Sequence, residues 1–187
     1  MILTLKCTLA GSVPPIWRRI QVPDNMSLGN LHHVIQTAMG WTDNHLHEFE
    51  IDGDSFSGLL PDGSGLDNML DESKYRLSDF DIEKGMKFQY IYDFGDYWVH
   101  RISVEKIDEP QSNAPYPVCI GGKRACPPED CGGGGGYEVM LEALADPTHC
   151  DHEMYVEWLG GEFDPEYFDL NLINTKLGRL STRLKAE

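Results

Sequence analysis

Between Cys119 and Cys131 the chain places three of its five cysteines, and five consecutive glycines follow at Gly132 to Gly136. A stretch this rich in Gly and Pro suits neither a helix nor a central strand, so it reads as a bend that something else must hold in shape. A metal, a disulfide, or packing against neighbouring structure are the three ways to do that. What the bend can pack against is written in the rest of the chain.

Leu3, Leu5, Cys7 and Leu9 alternate with polar residues, as in a half-buried strand. After the turn Gly11-Ser12-Val13-Pro14-Pro15, Ile16, Arg18, Ile20 and Val22 alternate again and read as its hairpin partner. Ser27 has the character of an N-cap, with Leu28, Leu31, Val34, Ile35 and Ala38 at helical spacing and Gly40 as the stop. A third strand is expected from His45 to Ile51, and a Gly/Asp/Ser-rich loop from Asp52 to about Ser73. Met86, Phe88, Tyr90 and Tyr92 form the next strand. Asp93 to Asp96 turns the chain, and Trp98, His100, Ile102 and Val104 share a face of the returning strand. Strand, strand, helix and further strands is the order of a β-grasp (ubiquitin-like) unit. The expectation is an α+β fold, a mixed sheet with one covering helix over residues 1–108.

Residues 109–117 are proline-rich and polar, as in a linker or an extended wrap. Beyond the cysteine bend, helical stretches are expected from Tyr137 to Ala145, from His152 to Leu159, and after Asp169, the last carrying Ile173, Leu177, Leu180 and Leu184 as one stripe. Residues 109–187 thus read as a Cys/Gly loop and helical extension, packed on the first part as one globular unit.

There are 15 Lys+Arg against 31 Asp+Glu, a formal charge of −16. That field repels a phosphate backbone, so no nucleic-acid partner is expected, and a protein or small ligand is the partner to look for. The opening Met-Ile-Leu-Thr-Leu-Lys is too soon broken by charge to be a signal peptide, and no apolar run approaches membrane-spanning length. An odd number of cysteines without a secretory signal points to reduced thiols in a cytoplasm.

Three groups of side chains could carry chemistry. Cys119, Cys126 and Cys131 could hold zinc as thiolates, with a fourth ligand from His100, His149, Cys150 or His152; their spacing lacks the paired C-x-x-C of structural zinc sites, and three small buried thiols fit equally. His45 and His47 fall on one strand face at chelating distance, or lie at the edge of the core beside Phe49. Asp93, Asp96 and His100 could serve as acid/base or ligand-binding groups, although Asp93 and Asp96 are also apt turn residues. The glycine run could hold an anion at a helix N-terminus, but Glu129 and Asp130 precede it and no Lys-Ser/Thr follows; a hinge, or a place where two backbones approach closely, is the better reading.

Pro14 to Arg19, Gly40 to Phe49, Tyr92 to His100 and Cys126 to Gly133 occur in that order, followed by Leu144 to Pro147 and Glu157 to Pro165. Together they resemble the plasmid pRiA ORF-three-like family of plasmids, mobile elements and microbial chromosomes, across nearly the whole chain. The resemblance implies little about activity. Some relatives carry resolvase-like labels, but this chain lacks the arginine-flanked serine and basic segment that a serine recombinase needs. The reading it leaves is a non-enzymatic binding or interaction module. The alternative is a zinc-dependent enzyme or effector using the His/Asp hairpin and the Cys loop. Relatives usually carry a proline within Gly134-Gly135, where this chain has only glycine.

Overall fold

The computed structural model describes residues 1–60, 62–112 and 114–184. Its strands are β1 (Ile2–Leu9), β2 (Trp17–Pro23), β3 (His47–Ile51), β4 (Asp54–Ser57), β5 (Leu70–Asp71), β6 (Lys87–Tyr92), β7 (Trp98–Asp108) and β8 (Val118–Lys123). The helices are α1 (Leu28–Met39), α2 (Gly133–Ala145), α3 (His152–Leu159) and α4 (Leu170–Leu184), with 3₁₀ turns at Glu72–Lys74 and Leu77–Asp79. All eight strands join one mixed sheet in the order β5-β4-β3-β6-β7-β1-β2-β8. Neighbours are antiparallel except β4 and β5, which run parallel at one edge.

This corrects the β-grasp expectation. Element order does not say which strands are neighbours, and three strands come from segments whose composition hid them. β4 and β5 lie in the stretch read as an irregular loop, and β8 at the start of the cysteine bend pairs with β2 as the opposite edge. An edge position tolerates Gly121 and Gly122, because only one side of the strand has a ladder to keep. Nor does one helix cover the sheet: α4 packs on both α1 and β8, and α2 contributes Tyr137 and Met140 to the same core.

The local rules that build α1 are visible at both ends. Ser27 Oγ accepts from Asn30 N at 3.2 Å, and Gly40 takes the left-handed conformation (φ 104°) while its N–H donates to Gln36 O. The buried face of α1, from Leu28 through Leu31, Val34, Ile35 and Ala38, meets Leu3, Leu5, Ile20, Tyr90, Ile102 and Val104 of the sheet. Several intervening strand residues, among them Lys6, Arg19 and Gln21, are polar and only partly covered, and Arg19 forms an ion pair with Glu105.

One inward position breaks the apolar pattern. Arg18 on β2 is buried, with its guanidinium donating to Ala38 O (2.8 Å), Trp17 O and Lys123 O (both 2.9 Å), and Arg124 O (2.8 Å). The ring of Phe168 lies against it, 5.0 Å from centroid to guanidinium carbon. Ala38 O belongs to the last turn of α1, where carbonyls lack helical partners. Arg18 therefore ties α1, β2 and β8 together through backbone oxygens.

His100 is fully buried on β7. One ring nitrogen, Nδ1, lies 3.2 Å from Tyr90 O and donates to it, and the edge of Trp41 packs close by. Nε2 is enclosed with no hydrogen-bond partner among the described residues. A proton there would be a buried charge without an acceptor, and burial holds the imidazole pKa down at about 4. Above pH 6.5 the ring is neutral in folded and unfolded chains alike, and no stability is lost. From 6.5 down to 4 only the unfolded chain takes up the proton, so stability falls through this window. A displacement from 6.5 to about 4 is worth about 3 kcal/mol. Urea unfolding at pH 7 and pH 4 should show a drop that is smaller by about that amount in His100→Gln. Equal drops in the two proteins would refute the assignment.

Candidate functional site

At one end of the sheet three sequence motifs converge: the loop after α1 (residues 40–46), the β6–β7 turn (residues 93–97) and the bend at residues 126–133. Trp41 Nε1 donates to Pro127 O at 2.9 Å. Thr42 donates to Glu129 Oε1 through its backbone N (2.8 Å) and its Oγ1 (3.0 Å). Tyr92 OH accepts from Asn44 N at 3.0 Å and donates to the Glu129 carboxylate, 3.1 Å from each oxygen. Burial, together with the nearby Glu129 charge, raises the Tyr92 pKa far above its ordinary value, so the phenol stays a neutral donor. Asp96 Oδ2 accepts from Gly132 N at 3.1 Å, clamping the bend just before α2 begins.

His45 stands in the middle of this convergence. Its Nε2 lies 3.1 Å from Asp130 Oδ1, 3.7 Å from Asp93 Oδ2 and 3.8 Å from Glu129 Oε2. Nε2 is enclosed and has no well-aligned hydrogen bond among the described residues. The two better-buried carboxylates share a division of labour. Asp93 Oδ1 accepts from Gly95 N at 2.8 Å and Glu129 Oε1 accepts from Thr42, so each leaves its second oxygen toward His45. Asp93 and Asp130 both adopt left-handed backbone (φ 59° and 58°). Asp tolerates that region better than most residues, but it is still uncommon, and here two carboxylate bearers of one cluster share it.

A second polar cluster lies along α1. Tyr90 OH accepts from Gln36 Nε2 (2.9 Å) and is 2.8 Å from His32 Nδ1, while His32 Nε2 is 2.7 Å from Asp43 Oδ1. One tautomer satisfies every group: His32 Nε2–H donates to Asp43, and Tyr90 OH donates to Nδ1. Burial lowers the His32 pKa, partly opposed by its bond to Asp43. Burial raises the Asp43 pKa, but bonds from His32 and His33 outweigh it and hold the carboxyl well below its ordinary value. His47 stacks on His32 with ring centroids 3.5 Å apart, and its Nε2 is 2.8 Å from Glu72 Oε2.

The structure thus brings His45 and Asp93 together and places Asp96 beside them as a backbone acceptor. It sends His47 into the α1 network and His100 into the core. Cys119 lies on β8 with its thiol 3.4 Å from Gly121 O, and Cys126 and Cys131 lie in the bend. Burial raises the pKa of all three thiols, that of Cys131 to about 12. Among the described residues the triads with ligand atoms within 4.8 Å of one another are His32/His33/Asp43, His149/Cys150/Asp151 and His45/Asp93/Asp130; none contains Cys119, Cys126 or Cys131. Glu129 and Asp130 were readable only as charges unfavourable to an anion. Their place between Cys126-Pro127-Pro128 and Cys131-Gly132-Gly133, inside one of the shared motifs, is the sign in the sequence that points to them.

Residues 1–172 match the family described as plasmid pRiA4b ORF-3-like protein. The chain belongs to this family. The uncharacterized protein y4hQ of Sinorhizobium fredii (strain NBRC 101917 / NGR234) is 37% identical over 184 residues, spanning 97% of this chain and 93% of its own length. The crystal structure of a protein of unknown function, MM3350 from Methanosarcina mazei Go1, superposes with a TM-score of 0.81 at 44% identity, covering 91% of this chain and 96% of that one. This chain and that solved structure therefore share one fold. No helix among the described residues is long and apolar enough to cross a membrane.

Proposed function

We propose that this protein is a binding module rather than an enzyme, and that the ligand it holds at the meeting of its three motifs is a divalent metal ion, with zinc the first candidate. The observation that carries this is His45 Nε2, enclosed and without a hydrogen bond, facing three carboxylate oxygens at 3.1–3.8 Å. Donors 2.0–2.2 Å from a tetrahedral zinc stand roughly 3.4 Å apart, close to the distances from His45 Nε2, and the ligand atoms of His45, Asp93 and Asp130 all lie within 4.8 Å of one another. One imidazole and carboxylate oxygens form a donor set suited to zinc and, with added water, manganese. The bonds from Thr42, Tyr92 and Gly95 orient the carboxylates, as the partners of metal ligands do. A binding role is favoured because, of the groups that could act as acid and base, only His45 and Asp93 meet: His100 is in the core, His47 pairs with Glu72, and Asp96 is spent on Gly132.

Protein stripped of metal and titrated with zinc should bind one ion per chain. His45→Ala and Asp93→Asn should each weaken binding at least tenfold, without change in thiol reactivity, since a direct ligand matters at least as much as the outer partners whose loss costs about 10–100-fold. Zinc that shields Cys119, Cys126 and Cys131 from a thiol reagent, with His45→Ala binding as tightly as wild type, would move the site to the thiols and overturn this reading.

A further inference from the structure

The chain carries twice as many acids as bases, yet one of its clefts is walled by cations. α4 contains no carboxylate, and Lys176, Arg179 and Arg183 fall on one face of it at spacings of three and four residues. All three line a cleft of about 480 Å³ between α4 and the end of α1, facing His33, Thr42 and Asp43. None of the three is ion-paired among the described residues, and all are exposed.

We propose that this cleft binds a small phosphate-bearing molecule, independently of the metal ion proposed at His45. Three cations face one carboxylate, Asp43, whose oxygens are already held by His32 and His33 at 2.7 and 3.4 Å. The carbonyl ends of α1 and α4 add roughly half a negative charge each, so the cleft keeps a net positive charge. Arg183 in the last turn of α4 has some value there as a dipole partner, but that does not explain why Lys176 and Arg179 face the same space. Two guanidinium forks and an ammonium suit the multiple oxygens of a phosphate group, and the volume is that of a small-molecule site. The size of the ligand follows from the remaining charge. At about 0.1 M salt, screening over roughly 10 Å hides most of the −16 from an anion inside the cleft. A polyanion long enough to leave the cleft would run over acidic surface and be repelled.

The probe is pyrophosphate, measured by calorimetry at about 0.1 M salt, a screening length of about 10 Å. Wild type should bind it. The triple variant Lys176→Gln/Arg179→Gln/Arg183→Gln, with the same far-ultraviolet circular dichroism and melting transition, should bind at least tenfold more weakly. Arg179→Lys, which keeps the charge and loses the fork, should fall between them. His45→Ala should bind pyrophosphate as wild type does, which separates this site from the metal site. No binding at millimolar pyrophosphate, or equal binding by the triple variant, would overturn the proposal. So would a single-stranded oligonucleotide that binds more tightly than pyrophosphate at the same salt, since that would make the ligand a nucleic acid.

Discussion

Arg18→Met should lower the stability of the native state by about 4 kcal/mol, a large part of the roughly 5–15 kcal/mol that a domain has. Methionine fills much of the volume and avoids the cost of burying a charge, so the loss comes from what it leaves behind. Ala38 O, Trp17 O, Lys123 O and Arg124 O would all lose a charged donor in a place water reaches poorly. Hydrogen bonds from charged groups contribute about 1.5–3 kcal/mol each, and a buried unsatisfied carbonyl costs about 1–3 kcal/mol. Relief of the guanidinium desolvation offsets part of that sum, which is why the expectation is about 4 kcal/mol rather than twice as much. Arg18→Lys should recover less than half, because a single ammonium cannot span acceptors on α1, β2 and the end of β8 or stack on Phe168. Guanidinium chloride unfolding of the three proteins measures this. A loss under 1 kcal/mol for Arg18→Met would mean that the carbonyls find other donors and that Arg18 is not the tie between these elements.

Arg18 also shows what can be read without coordinates. It stands in the inward register of an alternating strand, between Ile16 and Ile20, and an arginine there has to find several acceptors or not fold. Its partners could not be read, because Ala38, Lys123 and Arg124 are far away in the chain. The same division holds elsewhere. Local signals placed α1 between Ser27 and Gly40, and alternation marked β1, β2, β6 and β7. β4 escaped because Asp54-Ser55-Phe56-Ser57 shows one apolar residue, and β5 is two residues long. Pairing makes them strands, β4 against β3 and β5 against β4, and pairing is not written in local composition. At the site, His45 and Asp93 could be named from their motifs. Their meeting with Glu129 and Asp130 depends on how the bend crosses the sheet end, which no periodicity encodes. Lys176, Arg179 and Arg183 went unremarked because charges opposite an apolar stripe are what any surface helix shows.

The five glycines should separate sharply under substitution by alanine. Composition suggests a hinge or a close approach of two backbones; the structure makes four of them the first turn of α2, following Gly132 in left-handed backbone (φ 89°). A Cβ on Gly136 would run into Cys131 O and lie 2.9 Å from Cys131 C, both backbone atoms that cannot rotate away. A Cβ on Gly133 would lie 2.7 Å from Asp96 O, on a residue at φ 66°. Around Gly134 and Gly135 nothing lies within 4 Å. Gly136→Ala must therefore open the bend from α2, with an expected loss of about 3 kcal/mol or more, comparable to other severe strain or overpacking. Gly134→Ala and Gly135→Ala should raise stability by about 0.5–1 kcal/mol each, the ordinary advantage of alanine over glycine in a helix. Because Glu129 and Asp130 hang from the same bend, Gly136→Ala should also weaken the proposed zinc binding, while Gly134→Ala leaves it unchanged. Thermal melts and zinc titrations of the three variants test both halves. If all three melt alike, the run is a flexible hinge after all, and the close approach that holds the carboxylates toward His45 does not exist in solution.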